Sequence, residues 1–186
     1  MVNGITNTPP TSKRELKKWL RQLVHDIGMH RIGGPFIKYV KAPGNKGLTA
    51  VVTGAGGGIG KAVAKELSAM GVHCYLLDRS SDLVDAAVNE ITDAGGNAIG
   101  AVCDVTDESA IQKLAESITK CDILVNAAGL VRPGALADLQ TAEWDALLKV
   151  NLTGYFLMAR AFTPHLVSSG NGSGYLHTMS SYIPIN

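Results

Sequence analysis

No stretch of this sequence comes near the roughly 20 consecutive apolar residues that a helix needs to cross a bilayer, which argues against a helical membrane span. The N-terminus carries no apolar run either. Its first clear feature is a basic segment, so a secretory leader is not expected and a cytoplasmic location is. Only three cysteines occur, Cys74, Cys103 and Cys121, and no two have the spacing of metal ligands. Scattered thiols in odd number fit a reducing compartment and small core residues rather than a disulfide framework or a zinc site, and no metal is expected. The two Asn-x-Ser/Thr sequons, at Asn151 and Asn171, read as accidental without an export signal. No short-period repeat occurs. No nucleic-acid-binding module is recognisable, so nucleic acid is not an expected partner.

What is present suits one globular domain. Apolar residues make up 46% of the 186 and charged residues 18%, a balance that excludes wholesale disorder. The net charge of +1 hides an asymmetry. Residues 1–46 hold nine Lys/Arg against two Asp/Glu, and residues 47–186 hold eight against fourteen. A basic arm (1–46) is thus joined to an acidic globule (47–186). Within the arm, Ser12 and Glu15 form a capping-box pattern. Leu16, Trp19, Leu20, Leu23, Val24 and Ile27 then repeat at helical spacing, opposite Lys13, Arg14, Lys17, Lys18 and Arg21. Such a helix, across residues 12–28, can pack on its own domain with a solvated basic face. It can also dock on an anionic membrane surface or on a partner.

From Leu48 onward, short β-branched runs alternate with longer amphipathic segments. Strands are predicted at Thr49–Thr53, Val72–Asp78, Asn97–Cys103, Asp122–Asn126 and Tyr175–Met179. Helices are predicted near Ile59–Met70, Asp82–Asp93, Glu108–Ile118 and Ala142–Ser168. Parallel neighbours need crossover connections, so this alternation predicts an α/β fold: a doubly wound, three-layer Rossmann-like parallel sheet with both faces covered.

The first strand runs straight into Thr53-Gly54-Ala55-Gly56-Gly57-Gly58-Ile59-Gly60, where a helix begins. Glycines at such a junction permit the sharp turn, let backbone approach a pyrophosphate, and let helix and strand pack closely. Asp78 closes the second strand eighteen positions after Gly60, where a carboxylate can accept from a ribose 2′-hydroxyl. That carboxylate repels a 2′-phosphate, which favours NAD over NADP. The neighbouring Arg79 is the counter-indication, since a guanidinium there can take a phosphate.

The spacing Thr-Gly-x-x-x-Gly-x-Gly resembles the cofactor loop of the short-chain dehydrogenases/reductases, and four further segments resemble that family in order. Asp104-Val105 is similar to its adenine-contacting pair, and Asn126-Ala127-Ala128-Gly129 to the segment after its fourth strand. Val150-Asn151-Leu152-Thr153-Gly154 is similar to the helix bearing its catalytic Asn, and Met179-Ser180-Ser181 to the strand end bearing its catalytic Ser. The resemblance spans residues 48–184 and implies strand order 3-2-1-4-5. It implies that Asn126 to Gly129 wall the nicotinamide side of the cleft, that Asn151 holds a water in a proton relay, and that Ser181 polarises the substrate oxygen. A purely structural hydrogen bond is the other reading of Asn151, because Asn is a poor interior helix residue and needs some such reason to be there.

The family's Tyr and the Lys four residues after it are not found. None of Tyr39, Tyr75, Tyr155, Tyr175 or Tyr182 is followed at that spacing by Lys. A phenol of ordinary pKa near 10 needs such a cation to act near neutrality. The 186 residues therefore read as a chain truncated before that pair, lacking the last strands and the substrate loop. The resemblance implies an NAD(P)-dependent oxidoreductase that transfers hydride between a secondary alcohol or ketone and NAD(H), in a parent protein that is a homo-oligomer. For the chain itself, cofactor binding without turnover is expected. The alternative is a non-catalytic module that binds a dinucleotide or a partner.

Overall fold

The computed structural model describes residues 47–168 and the backbone of 175–178, all within the unit Gly44–Asn186. The basic arm, with its expected helix at 12–28, lies outside the described residues, as do Ser180 and Ser181. Five strands form one parallel sheet: β1 (Thr49–Thr53), β2 (His73–Asp78), β3 (Ala98–Val102), β4 (Ile123–Asn126) and β5 (Tyr175–Thr178). Their order is β3-β2-β1-β4-β5, as the resemblance implied. The connections are α1 (Gly58–Ala69), α2 (Ser81–Asp93), α3 (Glu108–Ser117), and a longer passage containing α4 (Thr141–Leu148) and α5 (Tyr155–Ser168).

Side chains alternate across the sheet and so feed two cores. Ala50 and Val52, with Cys74, Leu76, Ile123 and Val125, pack against Ala64 and Leu67 of α1 and Ala87 and Ile91 of α2. Val51, Leu77 and Leu124 face the other way, onto Ile111 and Ala115 of α3 and Leu157, Met158, Phe162 and Leu166 of α5. β1 and β4 are buried on both faces, which is why they read as unbroken apolar runs. β3 departs from the expected double cover. It is an edge strand, and Ile99 and Val102 are exposed.

At the amino ends of the strands, the Asp122 carboxylate accepts from the Thr49 amide at 2.7 Å and pairs with Lys120 at 3.3 Å, joining β4 to β1 where pairing begins. At the carboxyl ends, chain direction diverges between β1 and β4. The connections leave those two strands for opposite faces of the sheet, the arrangement that in open α/β sheets places a crevice between such strands.

The single helix expected over Ala142–Ser168 is corrected by the structure. It is three segments, because Lys149–Gly154 between α4 and α5 adopts the wider π-helical turn. Two contacts account for the change. Asn151 turns its amide sideways onto the backbone of Leu130, and Gly154 lies so close to Val105 that a β-carbon would sit 2.9 Å from Val105 Cγ2. Both contacts are made from within the widened turn, which holds more residues than a regular α-helical turn.

All three cysteines are buried and unpaired, as the spacing led us to expect. Burial pushes the thiols of Cys74 and Cys121 up to about 12; burial, then the charges of Asp104 and Asp107, push Cys103 up to about 11. The folded state holds them protonated while an unfolded chain ionises near its ordinary value of about 8.5, so this contribution to stability is complete below pH 8.5 and fades as pH rises through 11 to 12. We expect no thiol labelling by a disulfide reagent in native buffer at pH 8 and three labelled thiols after denaturation. Midpoints of urea unfolding should fall between pH 8.5 and 10.

Candidate functional site

The crevice is built from four strand-to-loop junctions, and the first supplies the most. Gly54 leaves β1 at φ +62°, and a β-carbon there would sit 2.7 Å from the Ala128 backbone. Gly60 presses against the same turn from the other side: its β-carbon would lie 2.3 Å from the Gly54 carbonyl oxygen. These two glycines let α1 rise directly off the end of β1. Between them Gly57 is extended and Gly58 takes φ +50°, and nothing lies within 4 Å of a β-carbon at either. The loop therefore offers bare backbone to open space.

Among the described residues no side chain caps the α1 N-terminus, and its first turn holds no acidic residue. The other crossover helices differ. Ser80 accepts from the Leu83 amide to cap α2, Asp107 accepts from the Ala110 amide at 3.0 Å to cap α3, and each has an acidic residue in its first turn. At α4 the Glu143 carboxylate accepts from the Gln140 amide at 3.3 Å. Amides left without partners at a helix start, with the helix dipole behind them, form a site for an anion. The geometry fits a diphosphate.

Asp78 stands at the end of β2 beside this loop. One carboxylate oxygen accepts from the Gly56 amide and the other from the Ser80 amide, both at 3.2 Å. Each oxygen keeps a lone pair for a further donor, as a ribose acceptor requires. Arg79 is exposed next to it. After β3, Asp104 folds a tight turn by accepting from both the amide and the hydroxyl of Thr106 at 2.8 Å, while Val105 is buried against Gly154.

The fourth junction is tied to the first through one hydroxyl. Thr53 Oγ1, fully buried at the end of β1, accepts from the amides of Ala127 and Ala128, each at 3.0 Å. This fixes the start of the loop after β4 across the crevice. A little further on, Asn151 Oδ1 accepts from the Leu130 amide and Asn151 Nδ2 donates to the Leu130 carbonyl, both at 2.8 Å. The pair of bonds mimics a β-bridge and pins the same loop a second time, next to Gly129. Asn126, only 1% exposed, has neither side-chain Nδ2 nor Oδ1 partnered among the described residues.

Thr53 to Gly60, Asp78, Arg79, Asp104, Val105, Asn126 to Gly129 and Asn151 thus all fall at the carboxyl edge of the sheet. Ser181 lies outside the described residues. Two contributors were not singled out in the sequence. Leu130 offers only its backbone, which leaves no trace in residue identity. Ser80 was legible as a Ser just before an acidic helix start. Among the described residues no group of His, Cys, Asp and Glu could hold a metal, and no helix is long and apolar enough to cross a membrane.

Replacing Thr53 by Val keeps the volume but leaves two amides without an acceptor. The expected loss is about 2–3 kcal/mol in urea unfolding, against less than about 1 kcal/mol for Thr53→Ser. Gly60→Ala should cost more than Thr53→Ser, because its β-carbon meets rigid backbone rather than a mobile side chain.

Comparison with known proteins agrees with this geometry. The family model described as short chain dehydrogenase matches residues 48–182. The chain is 35% identical to 2,3-dihydro-2,3-dihydroxybenzoate dehydrogenase of Bacillus subtilis, over 72% of this chain and 53% of that protein. It is 33% identical to D-threitol dehydrogenase of Mycolicibacterium smegmatis, over 68% and 50%. The chain thus spans about half the length of these curated relatives. Among solved structures, a metagenomic short-chain oxidoreductase in complex with NADP matches with a TM-score of 0.68 and 38% identity, over 74% of this chain and 64% of that one. With the family model matching residues 48–182 and a relative 35% identical over 72% of the chain, the chain belongs to the short-chain dehydrogenase family.

Proposed function

We propose that this chain binds NAD at the crevice between β1 and β4, as the cofactor half of an oxidoreductase acting on a secondary alcohol or ketone. What supports this most is the uncapped start of α1, open over Gly57 and Gly58 and flanked by the Asp78 carboxylate. Amides of the first α1 turn would hold the diphosphate, and Asp78 would accept from the ribose hydroxyl. Asp104 and Val105 would border the adenine, and Ala127 to Gly129 would line the nicotinamide side. Bound there, the dinucleotide supplies the hydride acceptor or donor. The chain's own part is to hold it in one orientation on a loop that Thr53 and Asn151 keep from moving. The side-chain amide of Asn151 is engaged with Leu130, so any water relay at this position would use another group, such as its backbone carbonyl.

NAD is favoured over NADP because a 2′-phosphate would bring its charge against Asp78. A solved relative is a complex with NADP, and Arg79 is the residue through which this chain could accept that cofactor. Ser181 is proposed to orient the substrate oxygen. The 186-residue chain alone is proposed to bind without turnover, since none of its tyrosines has a Lys four residues on.

A second copy of the chain is the proposed partner of α4 and α5. Trp144, Leu152, Phe156 and Val167 are exposed along this passage. Four-residue steps overshoot a full turn in an α-helix and fall short of one in a π-helix, so the π segment brings Trp144, Leu152 and Phe156 back toward one face.

Calorimetry on the folded chain should show one NAD+ site, bound at least about tenfold, or 1.4 kcal/mol, more tightly than NADP+. No uptake of either dinucleotide would end this reading. Alcohol-dependent NADH formation by the 186-residue chain would overturn the proposed lack of turnover alone.

A further inference from the structure

The Asp78 carboxylate does more in this structure than stand ready for a sugar. Its Oδ2 takes the Gly56 amide and its Oδ1 the Ser80 amide, so one side chain staples the glycine loop to the start of α2. The adjoining contacts make the staple tight. The Ala55 amide donates to the Leu77 carbonyl at 3.0 Å, the residue just before Asp78. The Cys103 amide donates to the Asp78 carbonyl at 2.9 Å, which fixes the Asp78 backbone from the β3 side. Ser80 caps α2 through the Leu83 amide, and Leu83 backs the loop: a β-carbon on Gly56 would meet Leu83 Cβ at 2.6 Å and Asp78 Oδ2 at 3.0 Å. Gly56 is therefore threaded between a carboxylate and an aliphatic wall, with its amide used and no room beside it.

We propose that Asp78 is a positioning residue for the diphosphate loop as well as the ribose acceptor, so that it holds the Gly57–Gly60 amides in their anion-binding arrangement before any ligand arrives. The proposal rests on the dinucleotide reading for its ligand, but the bracket itself is a property of the ligand-free chain. It gives Asp78 an effect opposite in sign to its charge. A carboxylate near a bound diphosphate repels it, so Coulomb's law alone has neutralisation of Asp78 improving the affinity for a free diphosphate. The bracket requires the reverse, because the loop loses its preorganisation.

The test uses the whole chain and its Asp78→Ala and Asp78→Asn variants, with inorganic pyrophosphate as probe, because pyrophosphate has no ribose. In the ligand-free protein, NMR amide exchange at Gly56 should be about tenfold faster in Asp78→Ala, with Val51 in β1 unchanged. Pyrophosphate, titrated against the Gly57–Gly60 amide resonances, should bind about tenfold more weakly to Asp78→Ala, the loss of one charge-assisted hydrogen bond. Asp78→Asn keeps one acceptor oxygen and should fall between; it carries the same test if the alanine variant does not fold. Unchanged Gly56 exchange, or pyrophosphate binding that is equal or tighter in the variants, overturns the proposal. The exchange arm needs no ligand. A wild-type chain that takes up no NAD+ while Gly56 exchange still responds to Asp78 counts against the proposed function and in favour of the bracket.

Discussion

Between Gly54 and Gly60 the backbone comes so near to itself that no side chain fits, and the rest of the site follows from that contact. A β-carbon at Gly60 would force α1 away from the end of β1, and the helix start would no longer lie over the crevice. With glycine at both places the helix leaves the strand within a few residues. Its first amides then face outward with no side-chain cap among the described residues. An apolar ligand would have no use for such a surface, whereas a diphosphate brings the acceptors and the charge that it lacks.

The two sides of the crevice are held by small polar devices rather than by bulk. Thr53 reaches across the divergence of β1 and β4 with a single hydroxyl, and Asn151 reaches from the π segment to the loop after β4 with a bidentate amide. Both take up backbone groups that would otherwise be stranded where regular pairing ends. The widened turn at Lys149–Gly154 belongs to the same arrangement. It points Asn151 at Leu130 while letting Gly154 close on Val105, so the loops after β3 and β4 are referenced to one helix. Distortions of this kind recur at functional sites.

The alternation of apolar runs and amphipathic stretches was enough to place all five strands and the three crossover helices to within a residue or so of their ends. That success has a plain cause. A strand buried on both faces must be apolar throughout, and a helix on its surface must alternate with a period near 3.6. The glycine loop and Asp78 were legible for a related reason, since the backbone conformation and the charge at those places admit few residue types. The passage 142–168 was misread because the insertion of one residue into a turn leaves composition unchanged and shifts periodicity too little to notice. The order 3-2-1-4-5 already put β3 at the edge; the exposure of Ile99 and Val102 was missed because an apolar side chain does not show whether a helix covers it.

Residue types by themselves determined the layer architecture, the family, the glycine loop and the carboxylate beside it, because each depends on local conformation or on a spacing along the chain. Tertiary structure alone decided which groups those residues serve. The partners of Thr53, Asp78 and Asn151 are largely main-chain amides and carbonyls, at separations of 21 to 75 positions where they join separate junctions. Every residue except proline carries the same amide, so nothing in its identity marks it as the one that will be met.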